Sequence, residues 1–232
     1  MIGVYDYTVI LTYLSLLSGC TGMIVAMSGL GHPYLGMFFM LFSGLCDGFD
    51  GRVARTKKDR SSLEKRFGVQ IDSFADLISF GVLPAAIGMS MLRASSKFSD
   101  LPFRVESGQM KLYPVLLFLI ALLYILAAMI RLAYFNATEE EREQEAQEKG
   151  ATYYTGLPVT AAALVFPMVL LLHYIPRFDL SIVYFIVMLV LAVLYVGDFK
   201  IKKPGKKGLA IMVAIGLAEF IVYLILAYLT KS

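Results

Sequence analysis

Seven long apolar stretches follow one another along the chain, separated by short polar segments. They lie at about 7–29, 33–54, 70–92, 112–135, 157–174, 180–197 and 208–229. An α-helix needs about 20 mostly apolar residues to cross the hydrocarbon core of a bilayer, and each stretch is close to that length. The pattern predicts an all-α bundle of about seven transmembrane helices. Six or eight helices would also fit, because the fifth and sixth stretches are short and nearly contiguous.

The overall composition agrees with a membrane protein, since 58% of the 232 residues are hydrophobic, against roughly 45–50% in soluble domains. The predicted helices leave no room for a separate soluble domain. We therefore expect one transmembrane domain over residues 1–232, with the lipid bilayer and not a nucleic acid as its partner.

The distribution of basic residues predicts the orientation of the chain in the membrane. With a cytoplasmic N-terminus, fifteen of the 21 lysines and arginines fall in cytoplasmic loops. Cytoplasmic loops carry an excess of lysine and arginine in membrane proteins. This orientation puts the junction of the second and third helices in the cytoplasm, with residues 56–67 as a solvated connector.

Four aspartates interrupt the apolar pattern near that junction: Asp47, Asp50, Asp72 and Asp76. Residues three or four apart share a helix face, so each helix presents two carboxylates. A charge at membrane depth costs about 2.5–3.5 kcal/mol on insertion scales, so a cation must neutralise the cluster. Ligand sets made only of oxygen favour hard divalent cations. The region 47–76 is therefore predicted to hold a metal site.

Two other interpretations of the aspartates are less consistent with the sequence. Ion pairs with Arg52 and Arg55 would leave two of the four carboxylates unbalanced. A divalent-cation transporter would place its site near the bilayer midplane, between repeats and broken helices. The aspartates lie instead at predicted helix ends, and Arg55 would oppose the passage of a cation.

Small residues share the faces that carry the aspartates. Gly51 and Ala54 lie on the face of Asp47 and Asp50, and Gly68 lies on the face of Asp72 and Asp76. Without bulky side chains, these positions let a ligand approach the helix closely. A phosphate-bearing ligand would use that space, with bound metal bridging its oxygens.

These residues form a recognisable signature. The run C-D-G-F-D-G-R-V-A-R at 46–55, followed by G-x-x-x-D-x-x-x-D at 68–76, resembles the motif of the CDP-alcohol phosphotransferase family. The segment 56–67 is longer than the common spacing in that family. The resemblance implies transfer of a phosphatidyl-type group from a CDP-linked lipid to a small alcohol, with release of CMP. It also implies a homodimer.

The resemblance further implies a role for each motif residue. Asp47, Asp50 and Asp72 would hold Mg²⁺ or Mn²⁺, as one or two ions. Asp76 would complete a second metal site and act as the general base that takes the acceptor's hydroxyl proton. The remaining motif positions would lie along the CDP: Gly51, Ala54, Arg55 and Gly68.

Further segments at 72–85, 131–136 and 154–159 resemble family members that use L-serine. A phosphorylated acceptor would need several cations, whereas beyond Arg55 the cytoplasmic boundary offers chiefly Arg131. We expect Arg131 to bind the carboxylate of serine and Asn136 to add a hydrogen bond. Glycerol phosphate, inositol phosphate or another small alcohol are the alternative acceptors, and Arg131 could instead be a snorkelling membrane anchor. The first helix offers Ser15 and Ser18 where those relatives usually have asparagine.

Overall fold

Helices make up nearly all of the described chain. The computed structural model describes residues 2–29, 35–94, 112–139, 141, 153–172, 180–202 and 206–229. The helices are α1 Ile10–Ser28, α2 Gly36–Ala54, α3 Ser62–Asp76, α4 Leu83–Ala94, α5 Leu112–Ala137, α6 Ala162–Leu171, α7 Leu180–Val196 and α8 Lys206–Leu229. A π-helical segment, Leu77–Val82, joins α3 to α4. Because α3 and α4 form one continuous helix, the described residues contain the predicted seven helical units.

Three of the described helical units have the length and composition of membrane spans. Within the described residues, α1, the continuous α3–α4 helix and α5 are long and apolar enough to cross a bilayer, and shorter apolar stretches occur in α6, α7 and α8. The remaining helix, α2, has the same length as α1 but carries three charged residues, Asp47, Asp50 and Arg52. The protein is an integral membrane protein of all-α class, as predicted.

Two local features differ from the sequence prediction. The connector ends at Ser61, so the prediction of a connector through residue 67 is wrong. Ser61 Oγ accepts from the Glu64 N–H at 3.1 Å, and Glu64 Oε2 accepts from the Ser61 N–H at 2.7 Å. This capping box satisfies the first amide groups of α3 and starts the helix at Ser62.

The second difference is a pair of short antiparallel strands, β1 Tyr153–Thr155 and β2 Lys200–Lys202. Gly156 follows β1 with a φ of 73°, a conformation that favours glycine. The Gly156 N–H donates to the Phe199 carbonyl at 2.7 Å, and the Leu157 N–H donates to the Leu194 carbonyl at 3.0 Å. The turn therefore fixes the backbone around Leu157.

Serines and glycines let α1 and α2 pack closely, as is common between membrane helices. Ser43 Oγ donates to the Ser15 carbonyl at 2.9 Å, and Ser18 Oγ donates to the Phe39 carbonyl at 2.7 Å. A Cβ atom on Gly22 would lie only 2.7 Å from the Phe39 side chain. Ser15 and Ser18 therefore fix the register of α1 against α2.

The π-helical segment begins directly after Asp76 and has an identifiable cause. Pro84 has no N–H, so it cannot donate to the Phe80 carbonyl one turn earlier. The Tyr124 hydroxyl on α5 donates to that carbonyl at 2.5 Å instead, and the Tyr184 hydroxyl on α7 donates to the Pro84 carbonyl at 2.9 Å. Two buried tyrosines thus hold the altered backbone beside the aspartates.

Candidate active site

Three of the four aspartates converge between α2 and α3. One carboxylate oxygen from each of Asp47, Asp50 and Asp72 lies within 4.8 Å of the other two, and all three side chains are half-buried. Two come from the last turns of α2 and one from α3, as the helical spacing predicted. Such a set of oxygen donors can hold a divalent cation.

Asp76 lies one turn deeper on α3. Its side chain is buried, and its Oδ1 atom has no hydrogen-bond partner among the described residues. A buried carboxylate oxygen without a partner is costly. Together with Asp47 and Asp72 it lines the same cavity. The four aspartates therefore fit a metal site, since a cation would compensate both the clustered charge and this unpaired oxygen.

The first helix contributes a contact that the sequence analysis did not predict. Thr12 Oγ1 on α1 donates to Asp50 Oδ2 at 3.0 Å, and Thr12 is buried. Hydrogen bonds of this kind orient carboxylates that ligate metals. Thr12 lies one turn before Ser15, which also contacts α2, but nothing in the sequence distinguishes this threonine from any other in an apolar helix.

Arg131, on α5, lines one cavity together with Asp47, Asp72 and Asp76. It is only 5% exposed, so it is not a snorkelling anchor at the membrane surface. Its Nε donates to the Leu157 carbonyl at 3.0 Å, and its guanidinium lies 5.5 Å from the centre of the Phe135 ring. The turn at Gly156 therefore helps to hold Arg131 in place.

A polar cavity of about 190 Å³ brings Arg131 and three aspartates together. Its lining includes Asp47, Asp72, Asp76, Arg131, Phe135 and Thr160. Asn136 is not among the lining residues, and its Nδ2 donates to Ser73 Oγ at 2.8 Å. Arg131 thus lines the same cavity as the aspartates. Asn136 lies outside that lining and contacts α3 through Ser73.

A second cavity, of about 230 Å³, lies between α2, α6 and α8 and is mostly apolar. Its lining includes Leu41, Leu45, Ala163, Leu164, Leu217 and Phe220. Asp47 lines this cavity as well as the polar one. The aspartate cluster therefore lies at the junction of an apolar and a polar space.

Each of two motif glycines lies under an arginine. A Cβ atom on Gly51 would lie 3.5 Å from Nη1 of Arg55, and one on Gly68 would lie 2.8 Å from Nη2 of Arg60. Ala54 is half-buried in the last turn of α2. The sequence analysis included Arg55 in the site but did not include Arg60.

The connector between α2 and α3 is tied to the N-terminal segment. Lys57 Nζ lies 2.6 Å from Asp6 Oδ2 and 2.6 Å from Glu64 Oε1. Donation by Lys57 and by the Thr8 hydroxyl lowers the pKa of Asp6 from its ordinary 3.8 to about 2. These contacts hold the connector and the first turn of α3 against the N-terminal segment.

The helical membrane bundle thus carries two aspartates on each of two adjacent helices, spaced as D-x-x-D-G-x-x-A-R and G-x-x-x-D-x-x-x-D. The chain belongs to the CDP-alcohol phosphatidyltransferase family, whose model matches residues 8–230.

Several curated relatives carry the name CDP-diacylglycerol–serine O-phosphatidyltransferase. The protein from Saccharomyces cerevisiae is 33% identical over 165 residues, which are 67% of this chain and 51% of the relative. The one from Mycobacterium tuberculosis is 30% identical over 152 residues, 65% of this chain and 45% of the relative. The one from Bacillus subtilis is 33% identical over 121 residues, 52% of this chain and 56% of the relative. The chain thus spans about half the length of these relatives, and no solved structure matches it.

Proposed function

We propose that this protein transfers a phosphatidyl group from CDP-diacylglycerol, or from a CDP-linked archaeal-type lipid, to the hydroxyl of L-serine. The products are phosphatidylserine, or its archaeal counterpart, and CMP. The observation that carries the proposal is the position of Asp47, which lines both an apolar and a polar cavity. A lipid-linked donor and a water-soluble acceptor need such a junction.

The donor binds with its lipid portion toward the apolar cavity and its CDP along the helix ends. Gly51, Ala54, Arg55 and Gly68 lie along the CDP in this proposal. Asp47, Asp50 and Asp72 hold Mg²⁺ or Mn²⁺, and Asp76 completes the site for a second ion. When bound, the metal neutralises phosphate charge and makes CMP a better leaving group.

The acceptor enters the polar cavity. Arg131 binds the carboxylate of serine, as arginine does for carboxylates in general. Asp76 takes the proton of the serine hydroxyl while that oxygen attacks the lipid-bearing phosphorus. The new P–O bond joins serine to the lipid phosphate, and the bond to CMP breaks. The predicted contact between Asn136 and the acceptor stays a prediction.

We also infer which domain carries the site, which side of the membrane it faces and the oligomeric state of the active protein. The single domain 1–232 carries out catalysis, and the site faces the cytoplasm, as the distribution of lysine and arginine favours. The active form is a homodimer, by resemblance to the family. Serine is supported by the names of the relatives and by Arg131, the one arginine among the described residues that line the polar cavity.

An acceptor screen tests this function directly. Purified full-length protein is incubated with radiolabelled CDP-diacylglycerol, Mg²⁺ or Mn²⁺, and one acceptor at a time. Serine is expected to yield labelled phosphatidylserine and CMP. Preferential use of glycerol 3-phosphate or inositol phosphate would contradict serine as the acceptor. It would still agree with phosphatidyl transfer as the reaction. Failure with every alcohol would contradict the reaction itself.

A further inference from the structure

The connector between α2 and α3 places a further arginine, Arg60, beside the predicted CDP site, which already includes Arg55. Arg60 Nη2 donates to the Glu64 carbonyl at 3.2 Å and lies 2.8 Å from the position that a Cβ atom on Gly68 would occupy. The guanidinium therefore rests on the backbone of α3. Gly68 precedes Asp72 by one helical turn, about 6 Å along the axis.

The surroundings leave this guanidinium incompletely satisfied. Arg60 Nε is buried and has no hydrogen-bond partner among the described residues, and none of the ion pairs between those residues involves Arg60. A buried N–H without an acceptor costs free energy, which an incoming acceptor would recover. The guanidinium presents paired N–H groups that match phosphate oxygens.

The contacts around the connector hold Arg60 in advance of binding. Lys57 joins Asp6 to Glu64, and the capping box joins Ser61 to Glu64. Glu64, whose carbonyl accepts from Arg60, and Ser61, which follows Arg60 in the chain, are thereby fixed, which reduces the entropy lost when a ligand binds. On α2, Arg55 lies over Gly51 in the same manner.

We propose that Arg60 is a donor-binding residue whose guanidinium binds the phosphate of the CDP-linked lipid and of the product CMP. This inference rests on the proposed function, and it adds a cation from the long connector to the predicted CDP site. Phosphate oxygens would lie between Arg60 and the aspartate cluster. The acceptor side, with Arg131, would not depend on Arg60.

Calorimetric titration of full-length protein with CMP and with cytidine, in the presence of Mg²⁺, tests the inference. Arg60→Gln is expected to weaken CMP binding by at least about tenfold, the size of a charged hydrogen bond, and to leave cytidine binding unchanged. Arg60→Lys keeps the charge but not the paired geometry, so an intermediate loss is expected. In turnover, the KM for donor rises and the KM for serine stays constant.

Arg66→Gln is the matched control, because Arg66 is an exposed arginine on α3 whose Nε contacts the Ser62 carbonyl. CMP affinity within twofold of the unmodified protein in Arg60→Gln and Arg60→Lys would overturn the inference. An equal loss for CMP and cytidine would overturn the assignment to phosphate. CMP binding that depends on Arg60 without transfer to serine would contradict only the acceptor. Absence of CMP binding by the unmodified protein would overturn both proposals.

Discussion

The four aspartates are not equivalent at the scale of single residues. Asp47, Asp50 and Asp72 face one another, whereas Asp76 is more deeply buried and keeps one oxygen without a partner among the described residues. A carboxylate that lies beside the metal site and lines the cavity of Arg131 is suited to take a proton from the acceptor.

Asp76→Asn should therefore abolish transfer while preserving donor binding. The amide keeps the size of the side chain but cannot accept the proton, and three aspartates remain to hold at least one cation. Activity is expected to fall by orders of magnitude, with CMP affinity nearly unchanged in calorimetry. Loss of CMP binding together with activity, and recovery of both at high metal concentration, would assign Asp76 to metal coordination alone.

Thr12→Val tests the contact between α1 and the metal site. Valine has nearly the shape of threonine but cannot donate to Asp50, so metal affinity should fall by roughly tenfold, as for other residues that orient ligands. The measurement is a Mn²⁺ titration of the purified protein. Thr21→Val is the control, because the exposed Thr21 hydroxyl donates only to the Leu17 carbonyl of its own helix. Equal metal affinity in both variants would contradict a supporting role for Thr12.

The site residues differ in how far the sequence could reveal them. Carboxylates in apolar helices stand out because charge there needs compensation, and their spacing placed them on common faces. Thr12 and Arg60 gave no such signal. A threonine in an apolar helix and an arginine in a charged connector are ordinary, and only the tertiary contacts with Asp50 and Gly68 distinguish them.

At the scale of elements, apolar length predicted the helices well, because crossing a bilayer fixes the length of a helix. The π-helical segment and the β1–β2 pair were not predicted. A three-residue strand is too short for a periodic pattern, and the π-helical segment depends on Tyr124, which reaches the Phe80 carbonyl from another helix.

Tyr124→Phe tests that account of the π-helical segment. Removing the hydroxyl leaves the Phe80 carbonyl buried without its donor, since Pro84 cannot replace it. A loss of about 1–3 kcal/mol in the free energy of unfolding is expected, measured by thermal or denaturant unfolding in detergent. Tyr134→Phe on the exposed side of the same helix is the control. Equal stability of the two variants would show that the hydroxyl does not support the segment.

At the scale of the whole molecule, the ion pair between Asp6 and Lys57 joins the N-terminal segment to the connector beside the site. Because the pKa of Asp6 is lowered to about 2 in the folded protein, this contact contributes stability above about pH 3.8. The contribution is lost as the pH falls from there toward 2. The protection factors for amide hydrogen exchange of residues 2–9 should be constant near neutral pH, where the pair is intact, and should fall over that acidic range.

Asp6→Asn should remove this pH dependence, because it lowers the protection factors of residues 2–9 already at neutral pH. Asp59→Asn, which changes an exposed carboxylate of the connector, is the control and should behave like the unmodified protein. If Asp6→Asn and the unmodified protein exchange at the same rate at neutral pH, the pair does not hold the N-terminal segment.

In the proposed reaction, a divalent metal held by the aspartates supports transfer from a CDP-linked lipid to serine. The most direct measurement is transfer of radiolabelled lipid to serine by purified protein that EDTA has stripped of metal, before and after titration with Mg²⁺ or Mn²⁺. We predict no transfer without metal, recovery on titration, and no recovery in Asp72→Asn, which lacks a ligand but retains its fold. Undiminished transfer by the metal-free protein would show that the aspartates do not act through a bound metal.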